Sequence, residues 1–222
     1  MSEQTPNPLT LAINALRWYA ADSRSQYGNS ELALYDEAAE ILTKRKEFAD
    51  FLVSKLGVNP GRVLELAAGS GLVSSVLKSR LKDVTFLDLS LPALDLLKNR
   101  VRDQGEPVAS ASIVNADFTR QPFATRSFDT IVCVGGYRYV TPNQKKQFWA
   151  ETTRILKGDG KLFFAQFKPR NFSINGSVLG EDLGEYGLES VAAYKFSPKI
   201  EIGPLAIKTG YYELAQYDKI KW

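Results

Sequence analysis

A strand-like run that ends in an acid and a glycine turn is the feature that most constrains how this chain folds. The run is Val63–Leu66, with Glu65 as its acid, and the turn is Ala67-Ala68-Gly69-Ser70-Gly71. A helical pattern follows at once, because apolar residues recur on one face at Leu72, Val73, Val76 and Leu77. Glycine lets the backbone approach a ligand closely, and the first N–H groups of a helix point toward it. Strand, turn and helix start together predict a nucleotide cradle.

A second apolar run, Val84–Asp88, also ends in an acid. It lies about twenty residues beyond the glycines, which is the spacing of a ribose-binding acid. A carboxylate at the tip of this strand could accept hydrogen bonds from two ribose hydroxyls. The alternative is that Asp88 is a solvated cap of the helix predicted to start near Leu91, although Ser90 could cap that helix instead.

Strand-like and helical segments continue to alternate downstream, which favours a parallel sheet built from β-α units. Further strands are predicted at 113–118, 127–134 and 161–167, with an amphipathic helix at 147–157 that Gly158-Asp159-Gly160 ends. Two β-rich runs, Ser190–Ile202 and Ile207–Tyr217, predict a terminal hairpin. The fold class predicted is α/β: a Rossmann-like, doubly wound and mostly parallel sheet with a C-terminal antiparallel hairpin and an N-terminal helical cap.

This ordered set of motifs resembles the class I S-adenosylmethionine-dependent methyltransferases, and most of all the small-molecule branch with the ubiquinone and menaquinone C-methyltransferases. The resemblance covers roughly Tyr35 to Phe167. It implies one methyltransferase domain over residues 1–222. Its expected parts are a helical cap and first helix at 1–57, a donor-binding core at 58–170, and an acceptor-side loop and hairpin at 171–222. S-adenosylmethionine is the implied donor, and S-adenosylhomocysteine the product.

The resemblance also implies roles for residues at the carboxyl ends of the strands, where ligands of open α/β sheets bind. The glycine turn would hold the methionine part of the donor, and Asp88 the ribose. Asp117 would accept a hydrogen bond from the adenine amino group, with Leu89 and Phe118 on either side of the ring; the alternative for Phe118 is core packing. The predicted cofactor-binding residues are Glu65, Ala67, Gly69, Gly71, Asp88, Leu89, Asp117, Phe118 and Gly135.

One residue departs from the family's glycine motif. The family often has a glycine where this chain has Ala67. Alanine is small enough for close approach to a ligand but tolerates a positive φ badly. The departure at Ala67 concerns the fine geometry of the loop and leaves the assignment unchanged.

The chain has no histidine, which excludes Ser-His-Asp and Cys-His mechanisms and makes zinc very improbable. No metal site is predicted, although the sequence leaves a magnesium site of carboxylates open. Methyl transfer from a sulfonium needs mainly alignment of the acceptor with the methyl group. The candidate catalytic residues are Tyr137, Arg138 and Tyr139, and the candidate substrate residues of the cap are Tyr19, Tyr27 and Tyr35. Arg138 could hold a carboxylate or phenolate of the acceptor. For each of these residues, packing or lid structure is the alternative.

The composition of the chain limits the partners and the cellular location that we expect for the protein. The 222 residues carry a formal net charge of +3, and the basic residues are spread over many helices. The sequence therefore does not indicate a continuous basic surface for binding nucleic acid. The single cysteine, Cys133, lies in a predicted buried strand. Neither a signal peptide nor a membrane span is predicted, which fits the cytoplasm. The expected partner is a small-molecule acceptor, and the oligomeric state stays open between monomer and homodimer.

Three alternatives stay open at this point. A Rossmann oxidoreductase shares the glycine turn, and Tyr217 and Lys221 have a dehydrogenase-like spacing; in a strand, however, they would lie roughly 13 Å apart. A nucleic-acid methyltransferase is the second alternative, although Gly135-Gly136-Tyr137-Arg138 does not match the tetrapeptide typical of base methylation. The third is a non-catalytic donor-binding protein. The acceptor, and whether its carbon, nitrogen or oxygen is methylated, are not readable from the sequence.

Overall fold

The computed structural model describes residues 36, 40, 43–103, 112–169, 183–198, 200–202, 205–207 and 210–220. The predicted N-terminal cap therefore lies almost entirely outside the described residues. Within them, the α-helices are α1 (Arg45–Leu56), α2 (Leu72–Arg80), α3 (Leu91–Asp103) and α4 (Lys145–Ile155). The strands are β1 (Val63–Leu66), β2 (Val84–Asp88), β3 (Ser112–Asn115), β4 (Phe128–Val134), β5 (Leu156–Pro169), β6 (Leu188–Phe196), β7 (Ile200–Ile202), β8 (Leu205–Ile207) and β9 (Gly210–Lys219).

Seven strands form one sheet in the order β3-β2-β1-β4-β5-β9-β6. β1 pairs in parallel with β2 and β4, β2 with β3, and β4 with β5. β9 is antiparallel to both of its neighbours, β5 and β6. The chain order reverses direction across the sheet at β1 and β4, which is where a doubly wound sheet opens a crevice for a ligand. The predicted fold class is confirmed.

Side chains alternate between the two faces of the sheet and build one apolar cluster on each face, as period-2 strands require. On β1, Val63 packs with residues of α1, α2 and α3, including Phe48 and Leu97. Its neighbour Leu64 packs on the opposite face with Phe148 and Trp149 of α4. The inner strands are buried on both faces, which explains why their sequences are continuously apolar rather than alternating.

The connection from β3 to β4 differs from the predicted alternation of strands and helices. Residues 116–127 contain no helix; they form turns, bends and irregular segments between Asn115 and Phe128. Side-chain hydrogen bonds from α4 hold this segment in place, as described below. A run of short polar turns carries no period that pattern analysis could recognise.

The glycine-rich turn after α4 also differs from expectation. The helix ends at Ile155, and Gly158-Asp159-Gly160 lies inside strand β5 instead of between the two elements. Leu156 pairs with Phe128 and Lys161 with Thr130, so β5 carries a bulge opposite Asp129. A β-carbon added to Gly160 would lie 2.6 Å from a methyl group of Leu156, so glycine is needed where the strand bends over itself.

The C-terminal hairpin is present, with β6 and β9 paired from Leu188↔Lys219 to Phe196↔Tyr212. A second, small hairpin of β7 and β8 is inserted between these strands. Tyr212 stacks on Phe48 of α1 with ring centroids 3.9 Å apart, which fixes the hairpin to the helical layer.

Candidate functional site

The carboxyl ends of the first four strands meet at one edge of the sheet. Leu66 is in register with Leu87 on one side and with Cys133 on the other, and Asp88 is in register with Asn115. Every predicted cofactor-binding residue within the described range therefore lies at or just beyond this edge. The segments that leave the four strands form the candidate site.

The turn after β1 contains three left-handed residues: Ala67 (φ 55°), Gly69 (φ 58°) and Gly71 (φ 90°). A β-carbon on Gly69 would meet nothing within 4 Å, so this residue borders open space. A β-carbon on Gly71 would lie 2.9 Å from the side chain of Leu97, so α2 could not begin this close to α3 with any other residue. Gly71 ends the turn and caps α2, whose first N–H groups point out of the helix at the site.

Ala67 takes the left-handed conformation, which favours glycine over any residue with a side chain. Its β-carbon points at the loop after β4, where a β-carbon on Gly136 would lie only 2.4 Å away. The alanine is thus accommodated because the facing residue has no side chain. The left-handed conformation costs an alanine roughly 1–2 kcal/mol, so the surrounding contacts hold the turn in this shape.

Glu65 lies beneath this turn and is 2% exposed. It faces α2, where the hydroxyl of Ser74 donates a 2.6 Å hydrogen bond to its Oε2. Burial raises the pKa of Glu65 to about 8; the bond from Ser74 opposes this shift and the nearby charge of Asp88 adds to it. With this pKa, Glu65 is mostly protonated at neutral pH, and a cation brought close to it would favour its ionised form.

Asp88 links the two ligand-side loops. Its Oδ2 accepts a hydrogen bond from the N–H of Gly69 at 2.8 Å, and its Oδ1 accepts one from the N–H of Ser90 at 2.8 Å. Burial raises the pKa of Asp88, and these backbone hydrogen bonds counteract it. The cap of α3 is Ser90, whose Oγ accepts from the N–H of Ala93 at 3.4 Å, so Asp88 is not needed for that role.

Leu89 and Asn115 show how the loop after β2 is oriented. The side chain of Leu89 is 66% exposed, which is unusual for a leucine beside a core and fits an apolar contact for a ligand. The amide of Asn115 donates to the carbonyl oxygens of Asp88 (3.1 Å) and Leu89 (2.8 Å). Sequence reasoning did not assign Asn115 a role; its signal is a polar residue at the tip of an apolar strand.

Asp117 and Phe118 begin the segment that follows β3. Oδ1 of Asp117 accepts hydrogen bonds from the N–H and the hydroxyl of Thr119, at 2.7 and 2.8 Å. A carboxylate has a second oxygen with acceptor capacity of its own. Phe118 is half-buried and packs edge-to-face against Phe148, with ring centroids 5.4 Å apart. Part of its ring is therefore packed in the core.

The candidate catalytic residues lie in a short 3₁₀ helix, Gly136–Tyr139, which starts after the left-handed Gly135 (φ 74°). Tyr137 is packed among the rings of Phe148, Trp149 and Phe164, and its hydroxyl accepts a 3.3 Å hydrogen bond from the indole N–H of Trp149. The guanidinium of Arg138 lies 5.5 Å from the ring centroid of Tyr139, which is 42% exposed. Tyr139 is thus the most exposed of the three, and the catalytic role of all three residues stays a prediction.

Arg100 connects the glycine turn to the N-terminal region, and sequence reasoning missed it. Its Nε donates to the carbonyl oxygen of Ser70 at 2.9 Å, and its Nη2 donates to Asp36 Oδ2 at 2.7 Å. The Asp36 side chain is 3% exposed, so this ion pair is shielded from water on one side. A basic residue in the last turn of a helix normally indicates only a dipole contact, so its long-range partners carry no sequence signal.

The candidate substrate residues Tyr19, Tyr27 and Tyr35 lie outside the described residues. Across the described part of the chain there is no group of three or more acidic or cysteine side chains that could hold a metal ion. Among the helices that the structure describes, none combines the length and the apolar character needed to cross a bilayer.

Residues 63–160 match the model of a family described as a methyltransferase domain. The chain is 34% identical over 152 residues to a demethylmenaquinone methyltransferase of Renibacterium salmoninarum, covering 67% of this chain and 60% of that protein. It is also 34% identical over 118 residues to one of Thermotoga maritima, covering 52% of this chain and 48% of that protein. The chain thus spans about half to three fifths of the length of these curated relatives.

Among solved structures, a SAM-dependent methyltransferase from Aquifex aeolicus superposes with a TM-score of 0.63 at 14% identity, over 87% of this chain and 100% of that chain. At this identity the likeness concerns the fold. The comparisons confirm the resemblance to S-adenosylmethionine-dependent methyltransferases that the sequence predicts, and they support S-adenosylmethionine as the cofactor of residues 63–160.

Proposed function

We propose that this chain transfers the methyl group of S-adenosylmethionine to a small-molecule acceptor by in-line displacement. The observation that carries the proposal is the meeting of the glycine turn, Asp88 and Asp117 at one edge of the sheet, on the strands of a methyltransferase-type fold. The whole of residues 1–222 would serve this one activity, with the described core holding the donor and the N-terminal and late segments adding the acceptor side.

The donor lies, in this proposal, across the ends of β1, β2 and β3. The N–H groups at the start of α2 and the backbone around Gly69 and Gly71 hold the methionine part. Asp88 accepts from the ribose hydroxyls, and Asp117 from the adenine amino group, with Leu89 and Phe118 against the ring. Glu65 lies under the turn, where the donor's positive charge favours its ionised form.

The residues act mainly by positioning in this proposal. The leaving group of the reaction is a neutral thioether, which needs no acid, and bringing the acceptor atom in line with the methyl group can supply several kcal/mol by itself. Arg138 orients an acidic or phenolic oxygen of the acceptor through its guanidinium. Tyr137, whose hydroxyl already accepts from Trp149, shapes the wall of the site.

The acceptor to be tested first follows from the names of the curated relatives, which are demethylmenaquinone methyltransferases. A reduced naphthoquinone ring is electron-rich, and its phenolate oxygen could pair with Arg138 while a ring carbon attacks the methyl group. The carbon–sulfur bond of the donor would break, and the ring proton would pass to water. We propose that the protein acts in the cytoplasm.

The dehydrogenase alternative finds less support. Tyr217, one half of the dehydrogenase-like pair, is buried in β9 and pairs with Leu162, which is in register with Ile131 and not with the carboxyl end of β4 at Val134. The other half, Lys221, lies outside the described residues. A donor-binding protein without catalysis shares every contact named above, and an acceptor screen would distinguish it.

Calorimetry tests the donor assignment. We expect S-adenosylmethionine and S-adenosylhomocysteine to bind and NAD not to bind; preferential binding of NAD would overturn the proposal. Asp88→Ala should weaken donor binding by about 1–3 kcal/mol, the cost of leaving polar partners unpaired. Asp83→Ala is the matched control, because Asp83 is an exposed aspartate at the opposite end of β2. Equal loss of affinity in both variants would contradict the ribose role.

A further inference from the structure

The segment 116–127 poses a question that the donor site alone does not answer. It carries Asp117 and Phe118, yet it belongs to neither a helix nor a sheet. Backbone groups that are removed from water need partners, and a segment without regular structure must find them elsewhere. Here the partners come from one face of α4, about thirty residues further along the chain.

We propose that Glu151 and Arg154 are positioning residues that orient the segment after β3 for recognition of the donor's adenine. The inference deepens the proposed function and rests on it, because it takes Asp117 as the adenine contact.

The two side chains form a fork-to-fork ion pair one helical turn apart. Nε of Arg154 donates to Oε1 of Glu151, and Nη2 donates to Oε2, both at 2.8 Å. The same guanidinium reaches the segment, since Nη1 donates to the carbonyl oxygen of Phe123 (2.7 Å) and Nη2 to that of Gln121 (3.0 Å). Oε2 of Glu151 accepts from the N–H of Gln121 at 3.0 Å. Both sides of the Gln121 peptide backbone are thus held by the pair.

Gln121 connects the Glu151–Arg154 ion pair to the residues at the edge of the sheet where the donor is proposed to bind. Its side chain is 4% exposed in a residue type that normally faces water, and its Nε2 donates to the carbonyl oxygen of Phe118 at 2.9 Å. Asp117 is then held by the turn it forms with Thr119, and the N–H of Arg120 donates to its carbonyl oxygen at 2.9 Å. Hydrogen bonds from α4 to Gln121 and from Gln121 to Phe118, together with the short stretch of backbone 117–121, therefore connect α4 to the carboxylate proposed to contact adenine.

Stability alone does not account for this arrangement. The side chains of Arg154 and Glu151 are 32% and 22% exposed, so water screens part of the attraction between the two charges. Arginine is the side chain whose planar donors can serve a carboxylate and two carbonyl groups together, so lysine could not replace it in geometry. The arrangement therefore predicts a larger effect on ligand recognition than on unfolding.

Two variants of the full chain test the inference. Arg154→Lys keeps the positive charge but loses the planar guanidinium that donates to both oxygens of Glu151. Gln121→Met keeps the approximate shape of the side chain but loses the amide N–H that donates to the carbonyl oxygen of Phe118. The probes are S-adenosylhomocysteine and S-inosylhomocysteine, in which an oxo group replaces the adenine amino group, measured by calorimetry. We expect each variant to bind S-adenosylhomocysteine about 3- to 10-fold more weakly, and S-inosylhomocysteine within about 2-fold of the wild type.

Lys157→Gln is the matched control, because Lys157 donates to Asp129 at 2.7 Å in a comparable ion pair that involves no residue of the segment 116–127. It should leave the preference for adenine unchanged. Unchanged preference in Arg154→Lys and Gln121→Met, with only the unfolding temperature lowered, would overturn the positioning role while leaving the donor site intact. A wild-type protein that binds both probes equally would overturn the Asp117 assignment and this inference with it. Failure to bind S-adenosylhomocysteine at all would overturn the proposed function.

Discussion

Replacing the buried Glu65 with glutamine should make the protein more stable at neutral pH, and increasingly so as the pH rises. The carboxyl group is shielded from water and titrates with a pKa of about 8, against an ordinary value of 4.5. Between these two values the native state keeps a proton that the unfolded chain has released. Native stability is therefore lost as the pH rises from about 4.5 to 8, and it changes no further above that range.

The magnitude follows from about 1.36 kcal/mol for each pH unit between the two pKa values. At pH 7 the wild type should have lost about 3 kcal/mol relative to a chain that cannot ionise at this position, and at pH 8 between about 4 and 5 kcal/mol. Glutamine has the size of the protonated acid, and its oxygen can accept the hydroxyl of Ser74, which now donates at 2.6 Å. The comparison therefore isolates the charge.

Urea unfolding of both proteins from pH 5 to pH 9, in the absence of donor, measures the effect. The excess stability of Glu65→Gln should be small at pH 5, increase to pH 8 and then level off. Glu151→Gln is the control: its partner Arg154 lowers the pKa of Glu151, so the stability from that group is lost only as the pH falls below the ordinary value. Its difference from wild type should be flat over this range. A flat difference for Glu65→Gln would show that the carboxyl group is ionised in the native state, and the reasoning would be refuted.

The remaining predictions concern the glycine turn and the acceptor side. Gly71→Ala should lower stability by about 2–4 kcal/mol, from the strain of φ 90° and the approach to Leu97, whereas Gly158→Ala, whose β-carbon meets nothing within 4 Å, should stay within about 0.5 kcal/mol of wild type in urea unfolding. Tyr137→Phe should reduce kcat by less than about 10²-fold, because the hydroxyl is proposed to shape the site and not to transfer a proton; a larger loss in steady-state kinetics would indicate a general base. Arg138→Ala should mainly raise the acceptor KM, and a fall in kcat at unchanged KM would contradict an orienting role.

The elements that carry a strong local pattern were predictable from the sequence. Strands β1 and β2 fall at the expected residues, because continuous apolar runs bounded by turns are typical of buried parallel strands. The glycine turn was predictable for a different local reason. Positive φ values and the close approach of two helices both favour glycine, so the glycines themselves indicate the geometry of the turn. Asp88 follows from its place at the tip of a strand.

Features that depend on distant partners were not predictable. The segment after β3 has no period of its own, and its conformation is held by Arg154, thirty-three residues beyond Gln121. Asn115 and Arg100 act through contacts with backbone carbonyl groups, which any polar sequence could supply. The bulge in β5 lies opposite Asp129, which accepts a hydrogen bond from Lys157, and the sequence gives no sign that these two charged residues, 28 positions apart, are in contact.

The contact between Ala67 and Gly136 restricts the order in which mutations can be accepted at these two positions during evolution. With alanine at position 67, even the smallest side chain at position 136 would overlap it, since the two β-carbons would be 2.4 Å apart. Glycine at position 67 would remove that overlap. The two positions are therefore epistatic: a side chain can enter at 136 only after 67 has become glycine, and 67 can return to alanine only after 136 has lost its side chain. Of the two mutational routes between such sequences, one passes through an intermediate with this 2.4 Å overlap and the other does not.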